Sequence, residues 1–463
     1  MSRTETQTEE FRREPPAPLA PRPLNLPAPE ETALANGLRV VFVGQGRLPL
    51  VNFRLAFPTG GAFDPPELPG LTDMLTNMLV EGTETRSSRQ IAEQAARYGA
   101  TLNAGASSDY TVVSASSLSV YADHALELLA DVALRPSFPE GELALAKANT
   151  QQNLIAQRAQ SSFLATEALA RVLFGEHPYS VVAPTPESIE ATTRERLREF
   201  HLRRFIPNNA VLFAVGDVRR EETLRRIEEL FGGWRSGDVP EADFPAPPER
   251  DGRTAYVVAR PGSAQTNVVV ANLGITRTHP DYFPLLVMHT VLGATASSRL
   301  FMNLREEKGY TYGAYTSLDA RRHAGSFRAS TEVRTPVTGA SLKEIFYELD
   351  RVRSEDVSEK ELADAKAYLT GTFPIRLETQ DGLVEQLVQI TMHGLPSDYL
   401  QTYRDRVQAV TGEEVRRVAN LYVTPGRAAI VLVGDADELR EQVAPYADRV
   451  KLLGGARGGG QAG

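Results

Sequence analysis

The chain has 463 residues, 42% of them apolar and 24% charged, with 50 Lys and Arg against 59 Asp and Glu and a net charge of −9. That length calls for more than one domain, and the composition is that of an ordinary globular protein. The negative balance argues against nonspecific binding to nucleic acid or anionic membrane, and the lack of cysteine excludes disulfides, thiolate metal sites and a cysteine nucleophile.

In chain order, Met1 to Glu14 is polar and charged and lacks the apolar core of a signal peptide. No run of about 18 apolar residues follows, so no membrane span is expected and the cytoplasm is the expected location. Residues 1–33, rich in Pro, Glu and Arg, read as a disordered arm. Leu38–Val43 and Leu50–Phe57 read as strands and Leu68–Val80 as a helix. Thr101–Ala106 and Thr111–Ser117 are alternating strands, while Tyr121–Ala133 and Glu140–Arg158 carry the apolar spacing of helices. Ala210–Val215 is a continuous apolar strand, followed by the amphipathic Glu221–Leu230. Pro240, Pro245, Pro247 and Pro248 mark residues 232–253 as an interdomain linker. Beyond it, strands are predicted at Ala255–Ala259, Thr266–Asn272, Thr311–Leu318 and Ser326–Glu332, and residues 451–463 read as a glycine-rich tail.

The two halves resemble each other. Pro207, Ala210 and Gly216-Asp217 recur as Pro425, Ala428 and Gly434-Asp435, an offset of 218 residues that also pairs Ala191, Thr193 and Glu195 with Ala409, Thr411 and Glu413. Ser87-Ser88-Arg89 and Gly99 recur as Ser297-Ser298-Arg299 and Gly309, offset by 210. Two matches in one order, differing by a short insertion, indicate a duplicated domain. Segregated strands and helices point to α+β: two homologous domains, each a mostly antiparallel sheet with helices on one face.

Gly70-Leu71-Thr72-Asp73-Met74-Leu75-Thr76-Asn77-Met78-Leu79-Val80-Glu81-Gly82-Thr83 resembles the zinc-binding helix of the pitrilysin/mitochondrial-processing-peptidase family of inverted zincins, which carry His-x-x-Glu-His in that frame. Residues at i, i+3 and i+4 share a helical face, so two histidines grip one ion while a carboxylate between them activates water. Here the resemblance puts Asp73 and Asn77 in the ligand slots and Thr76 in the base slot. Aligning Phe138-Pro139-Glu140 and Lys147 with the family's helix start puts the third ligand slot, a glutamate in the family, at Asn153. Asn77 offers only a neutral amide, and Thr76 cannot act as general base near neutral pH. No metal and no independent peptidase activity are expected in this chain. The resemblance implies an N-terminal-type domain over 34–231 with a degenerate zinc motif and a C-terminal-type domain over 254–450.

Ser298-Arg299-Leu300-Phe301, Leu304-Arg305-Glu306 and Gly309-Tyr310-Thr311-Tyr312 resemble the family's other signature. In bacterial heterodimers of the family, one subunit carries zinc and the other lacks it but carries an Arg–Tyr pair with this spacing. The resemblance therefore assigns Arg305 and Tyr312 to substrate and transition-state binding across the dimer, beside a partner's zinc. A guanidinium binds carbonyls through paired donors and a phenol donates to a developing oxyanion. On base rates a tyrosine in a strand is packing, and Arg-Glu before glycine is a helix end.

Leu102-Asn103-Ala104, with Ser107, Asp109 and Thr111, resembles the family's strand after the zinc helix, where peptides add to the sheet edge by backbone hydrogen bonds. Asn103 and Ala104 are then substrate-binding; an ordinary strand-turn-strand is the equal alternative. The seven histidines suggest no metal cluster: His124, His201 and His289 fall in predicted helices, His177 in a loop, and His279, His323 and His393 in turns. No phosphate-cradling loop or nucleophile elbow is present. The resemblance implies the non-zinc subunit of a heterodimeric zinc metallopeptidase, with zinc in a partner that has an intact motif and with peptides as substrates. The rival is a purely structural scaffold, as in respiratory-complex core subunits.

Overall fold

The computed structural model describes residues 25–239, 241 and 243–454. In the first half, β1 (Glu30–Ala33), β2 (Arg39–Gly44), β3 (Leu50–Phe57), β4 (Thr101–Ala106), β5 (Thr111–Leu118) and β6 (Val211–Gly216) form a sheet in the order β1-β2-β6-β3-β5-β4. The second half repeats it: β7 (Thr254–Ala259), β8 (Gln265–Gly274), β9 (Thr311–Ala320), β10 (Gly325–Arg334), β11 (Ala429–Gly434) and β12 (Arg449–Leu453) run β12-β7-β11-β8-β10-β9. The β2–β6 and β7–β11 pairs are parallel, and from there to β4 and β9 each sheet is antiparallel. The expected α+β class is observed. Gly99 and Gly309, paired by the sequence offset, both have left-handed backbones, with φ of 56° and 63°.

The first sheet is accompanied by α1 (Leu71–Leu79), α2 (Ser88–Arg97), α3 (Ala122–Leu134), α4 (Glu140–Arg158), α5 (Ser161–Phe174), α6 (Pro186–Ala191), α7 (Arg194–Arg204) and α8 (Arg220–Phe231). The second has α9 (Tyr282–His289), α10 (Arg299–Phe301), α11 (Thr338–Ser354), α12 (Glu359–Arg376), α13 (Gln380–His393), α14 (Tyr399–Ala409), α15 (Gly412–Tyr422) and α16 (Ala436–Val443).

Helices on one face is where the sequence reading falls short. Val40, Phe42, Phe53 and Leu55 pack on Leu75, Leu129 and Ile227 from the first half's own helices. The opposite face, with Val41, Val43, Phe213 and Val215, shares a core with Leu383, Val384 and Leu387 of α13 from the second half. Reciprocally, Ala165, Ala168 and Leu169 of α5 pack on Val258, Val269, Val431 and Val433 of the second sheet. The reason is local: β6 and β11 are buried along their whole length, so each needs cover on both faces. Each buried aliphatic side chain contributes ~1.5–3 kcal/mol relative to exposure, so the halves stabilise each other. Phe244 of the expected linker lies between them, meeting Phe63 of the first half at 5.3 Å and His323 of the second at 4.9 Å.

Two boundaries move. β1 lies inside the stretch expected to be a disordered arm, and β12 runs past residue 450 into the expected tail. Both are outer strands held by backbone pairing, with side chains mostly exposed, so neither carries the alternation that marks a strand in sequence. The rest of the arm, 1–24, and of the tail, 455–463, lies outside the described residues.

Against the expectation of no spanning run, Tyr282–Glu307 has the length (26 residues) and mean hydropathy (1.3) of a membrane span. Its chain breaks from helix at Gly293 (φ −166°, ψ 16°), and 61% of its apolar window is buried. Its hydropathy is that of a core segment.

Candidate functional site

Helix α1 is built by its apolar stripe. Leu71, Leu75, Met78 and Leu79 are buried, and the N-terminus is tied down by Asp64, whose carboxylate accepts from the backbone N–H groups of Gly70 (2.8 Å) and Thr72 (2.9 Å). Gly70 is left-handed at φ 88°, and a Cβ there would meet the Pro184 ring at 2.7 Å. On the remaining face Asp73 and Asn77 are exposed one turn apart, while Thr76 is buried and donates its hydroxyl to the Asp73 carbonyl (2.9 Å). Helix α4, which packs on α1, presents Asn153 to solvent. Two touching helices thus carry all four slots. Their donors are one carboxylate, one engaged hydroxyl and two amides, with no imidazole, and that set does not fit zinc. Among the described residues, no three His, Asp or Glu side chains converge as metal ligands do.

Asp64 and Asp73 line a cleft of about 200 Å³ with Ala106, Ser107 and Pro184. Burial pushes the Asp64 carboxyl up to about 7, against its three hydrogen bonds and with a small contribution from the Asp73 charge. The walls of the cleft partly desolvate Asp73 and raise its carboxyl too, although the residue still reaches solvent.

The same cleft is bounded by β4, the last strand of the first sheet, which pairs only with β5. Asn103 is exposed and its carbonyl accepts from the Ser114 hydroxyl (3.2 Å); Ala104 is half-buried. The turn after it is polar, Ser107 Oγ accepting from the N–H groups of Asp109 and Tyr110 (3.2 Å each). A strand-turn-strand and a free sheet edge beside α1 are both present.

At the far end of the second sheet, Arg299 makes a bidentate ion pair with Glu361 at the start of α12 (2.6 and 3.0 Å), which holds the Glu361 carboxyl down at about 2. The Ser298 hydroxyl bonds the Thr295 carbonyl. These motif residues are fold. Arg305 is exposed, paired with Glu306, and lies 5.0 Å over the Phe301 ring, which meets Tyr315 at 5.5 Å. Tyr312 sits on edge strand β9 in a bulge, where Tyr312 and Gly313 stand opposite the single residue Glu332. It is 89% exposed and makes no hydrogen bond with a described residue, the reverse of the base-rate expectation that it packs. A bulge re-aims a side chain in this way. No hydrogen bond or ring contact joins Arg305 to Tyr312, although their segments touch.

His201 and His289 are core histidines. Burial lowers His201 to about 4, and its Nε2 meets the Ala133 carbonyl at 2.8 Å; burial does the same to His289. His393, expected in a turn, ends α13 instead, because the left-handed Gly394 that signals the stop is the following residue. What the sequence reading missed is the junction built on Asp109. This buried carboxylate accepts from the Tyr179 hydroxyl and from the Arg322 N–H (3.0 Å), tying the first sheet's turn to the second half. Asp109 stands in the quoted strand-turn segment, but nothing local shows that its partners lie 70 and 213 residues away.

The chain is a duplicated α+β protein whose helix α1 carries Asp73, Thr76 and Asn77 on or beside one face and no histidine. Two family models match it, one described as insulinase (peptidase family M16) over residues 40–184 and one as peptidase M16 inactive domain over 191–369. The chain belongs to peptidase family M16. "Uncharacterized zinc protease YmxG" of Bacillus subtilis is 26% identical over 74% of this chain and 83% of that protein. "Non-peptidase homolog YmxG" of Helicobacter pylori is 25% identical over 81% and 87%. A crystal structure of a peptidase M16 inactive domain from Pseudomonas fluorescens superimposes with a TM-score of 0.83 at 28% identity, covering 88% of this chain and 98% of that one.

Proposed function

We propose that the chain is the non-zinc subunit of a heterodimeric zinc metallopeptidase of the cytoplasm. It supplies half of a peptide chamber and places Arg305 and Tyr312 beside the zinc of a partner with an intact His-x-x-Glu-His helix. The observation that carries this reading is Tyr312, an almost fully exposed phenol aimed outward by a bulge on a sheet edge, with no hydrogen-bond partner among the described residues. The α1 and α4 donors do not suit zinc, so any metal step belongs to the partner. Free edge β4 beside α1 suits an extended peptide held by backbone hydrogen bonds. The Helicobacter pylori relative's description as a non-peptidase homolog agrees with a chain that does not cut alone.

The test is reconstitution with a zinc-motif M16 chain encoded beside it. The chain alone should bind no zinc and cleave no peptide, and the pair should cleave. Tyr312→Phe in the pair should lower kcat by ~10²–10³-fold, the usual effect of losing one oxyanion donor. Chelator-sensitive cleavage by the chain alone would refute the reading; an unchanged rate with both Arg305→Ala and Tyr312→Phe would leave a scaffold.

A further inference from the structure

The second half has a cleft of its own at the counterpart of helix α1. Helices α9 and α12 stand in the second half where α1 and α4 stand in the first, and they too pack on each other. Between them, α13 and α14 lies a cavity of about 310 Å³, within the range for a small ligand. Its wall carries Arg277, Arg376, Tyr282, Tyr403, Gln386 and Gln389, and no carboxylate.

In a chain of net charge −9, two guanidinium groups in one cavity without an acidic residue need an explanation. Elsewhere in the second half Arg299, Arg351, Arg416 and Arg417 pair with carboxylates; neither Arg277 nor Arg376 forms an ion pair with a described residue. Arg277 is held in place: its ring contacts are Tyr282 at 3.7 Å and Tyr399 at 5.0 Å, and one guanidinium N–H donates to the Tyr399 hydroxyl (2.5 Å). That single bond leaves most of its N–H donors unused. Arg376 ends α12 at the rim. The hydroxyls of Tyr282 and Tyr403 have no acceptor among the described residues; Gln386 adds an amide donor, while the Gln389 amide donates to Glu385 (3.3 Å). A guanidinium fixed at Arg277, a second at Arg376 and phenols without acceptors are a donor set that binds an oxyanion.

We infer that this cavity binds a small ligand carrying a phosphate or carboxylate, with Arg277 and Arg376 as its two charged contacts. The site is separate from Arg305 and Tyr312 and does not depend on the peptidase reading, because binding is measured on this chain alone.

Calorimetric titration of the full chain with inorganic phosphate and with succinate, at matched ionic strength against chloride, tests it. At least one should saturate at one per chain, and the preferred anion separates a phosphate source from a carboxylate source. Arg376→Gln should weaken binding about tenfold, and Gln389→Glu should abolish it by placing a negative charge in the wall. Arg277→Gln should also abolish it, but its stacking on two tyrosines makes it a test of folding too, so the other two variants decide. The inference is overturned if neither anion saturates, or if Arg376→Gln and Gln389→Glu bind like the wild type.

Discussion

Helix α1 and the Arg305–Tyr312 segment are both pieces of a peptidase signature, and they survive for opposite reasons. In α1 Leu71, Met74, Leu75, Met78 and Leu79 are all in the core, so packing explains the motif's apolar spacing. Among the described residues nothing explains Tyr312: it is left almost wholly in solvent, makes no hydrogen bond and is turned outward by a bulge. A motif kept by its hydrophobic stripe says little about function. An unburied, unbonded aromatic residue in a motif says more, because folding gives no reason for it.

The comparison can be broken at three strengths. The largest effect is expected from Leu75→Ala in α1, where deleting a fully buried side chain should cost ~2–5 kcal/mol and lower the denaturation midpoint of the chain alone. A loss under about 1 kcal/mol would mean that α1 is not held by the core.

Asp64 comes next. Its carboxyl stands at about 7 in the fold against 3.8 for the free group, so between those values the native state holds a proton that the unfolded state has released. Its contribution to stability therefore falls as pH rises from about 4 to 7. For a half-buried group this amounts to ~1–2 kcal/mol after discounting for solvent. The stability of the wild type relative to Asp64→Asn should fall across that window and level off above it. An unchanged difference between the two in urea denaturation at pH 4.5 and at pH 7.5 would remove the assignment.

The smallest effect is expected from Tyr312→Phe on stability, within ~0.5 kcal/mol, as for an exposed surface residue. A larger loss would mean that the phenol has a packing role, and would remove the contrast with α1.

Much of this is legible in the amino-acid sequence. Strands such as β3 and helices such as α4 follow from alternation and helical spacing to the residue, and the 218- and 210-residue offsets announce two copies of one sheet. The absence of histidine from Leu71–Leu79 is a statement about residue types, legible without the structure. The outer strands β1 and β12 are not legible, because backbone pairing leaves no side-chain pattern. Neither is the exchange of α5 and α13 between halves: an apolar run shows that a strand is covered on both faces, not which helix covers it.

Local pattern thus decided most of the elements, since each depends on neighbours a few residues apart, and the internal sequence match decided the duplication. Only the tertiary structure decided that Tyr312 faces solvent, that Asp109 ties the halves together, and that Arg277 and Arg376 share one cavity. Those facts depend on contacts between segments tens to hundreds of residues apart, which packing alone brings together.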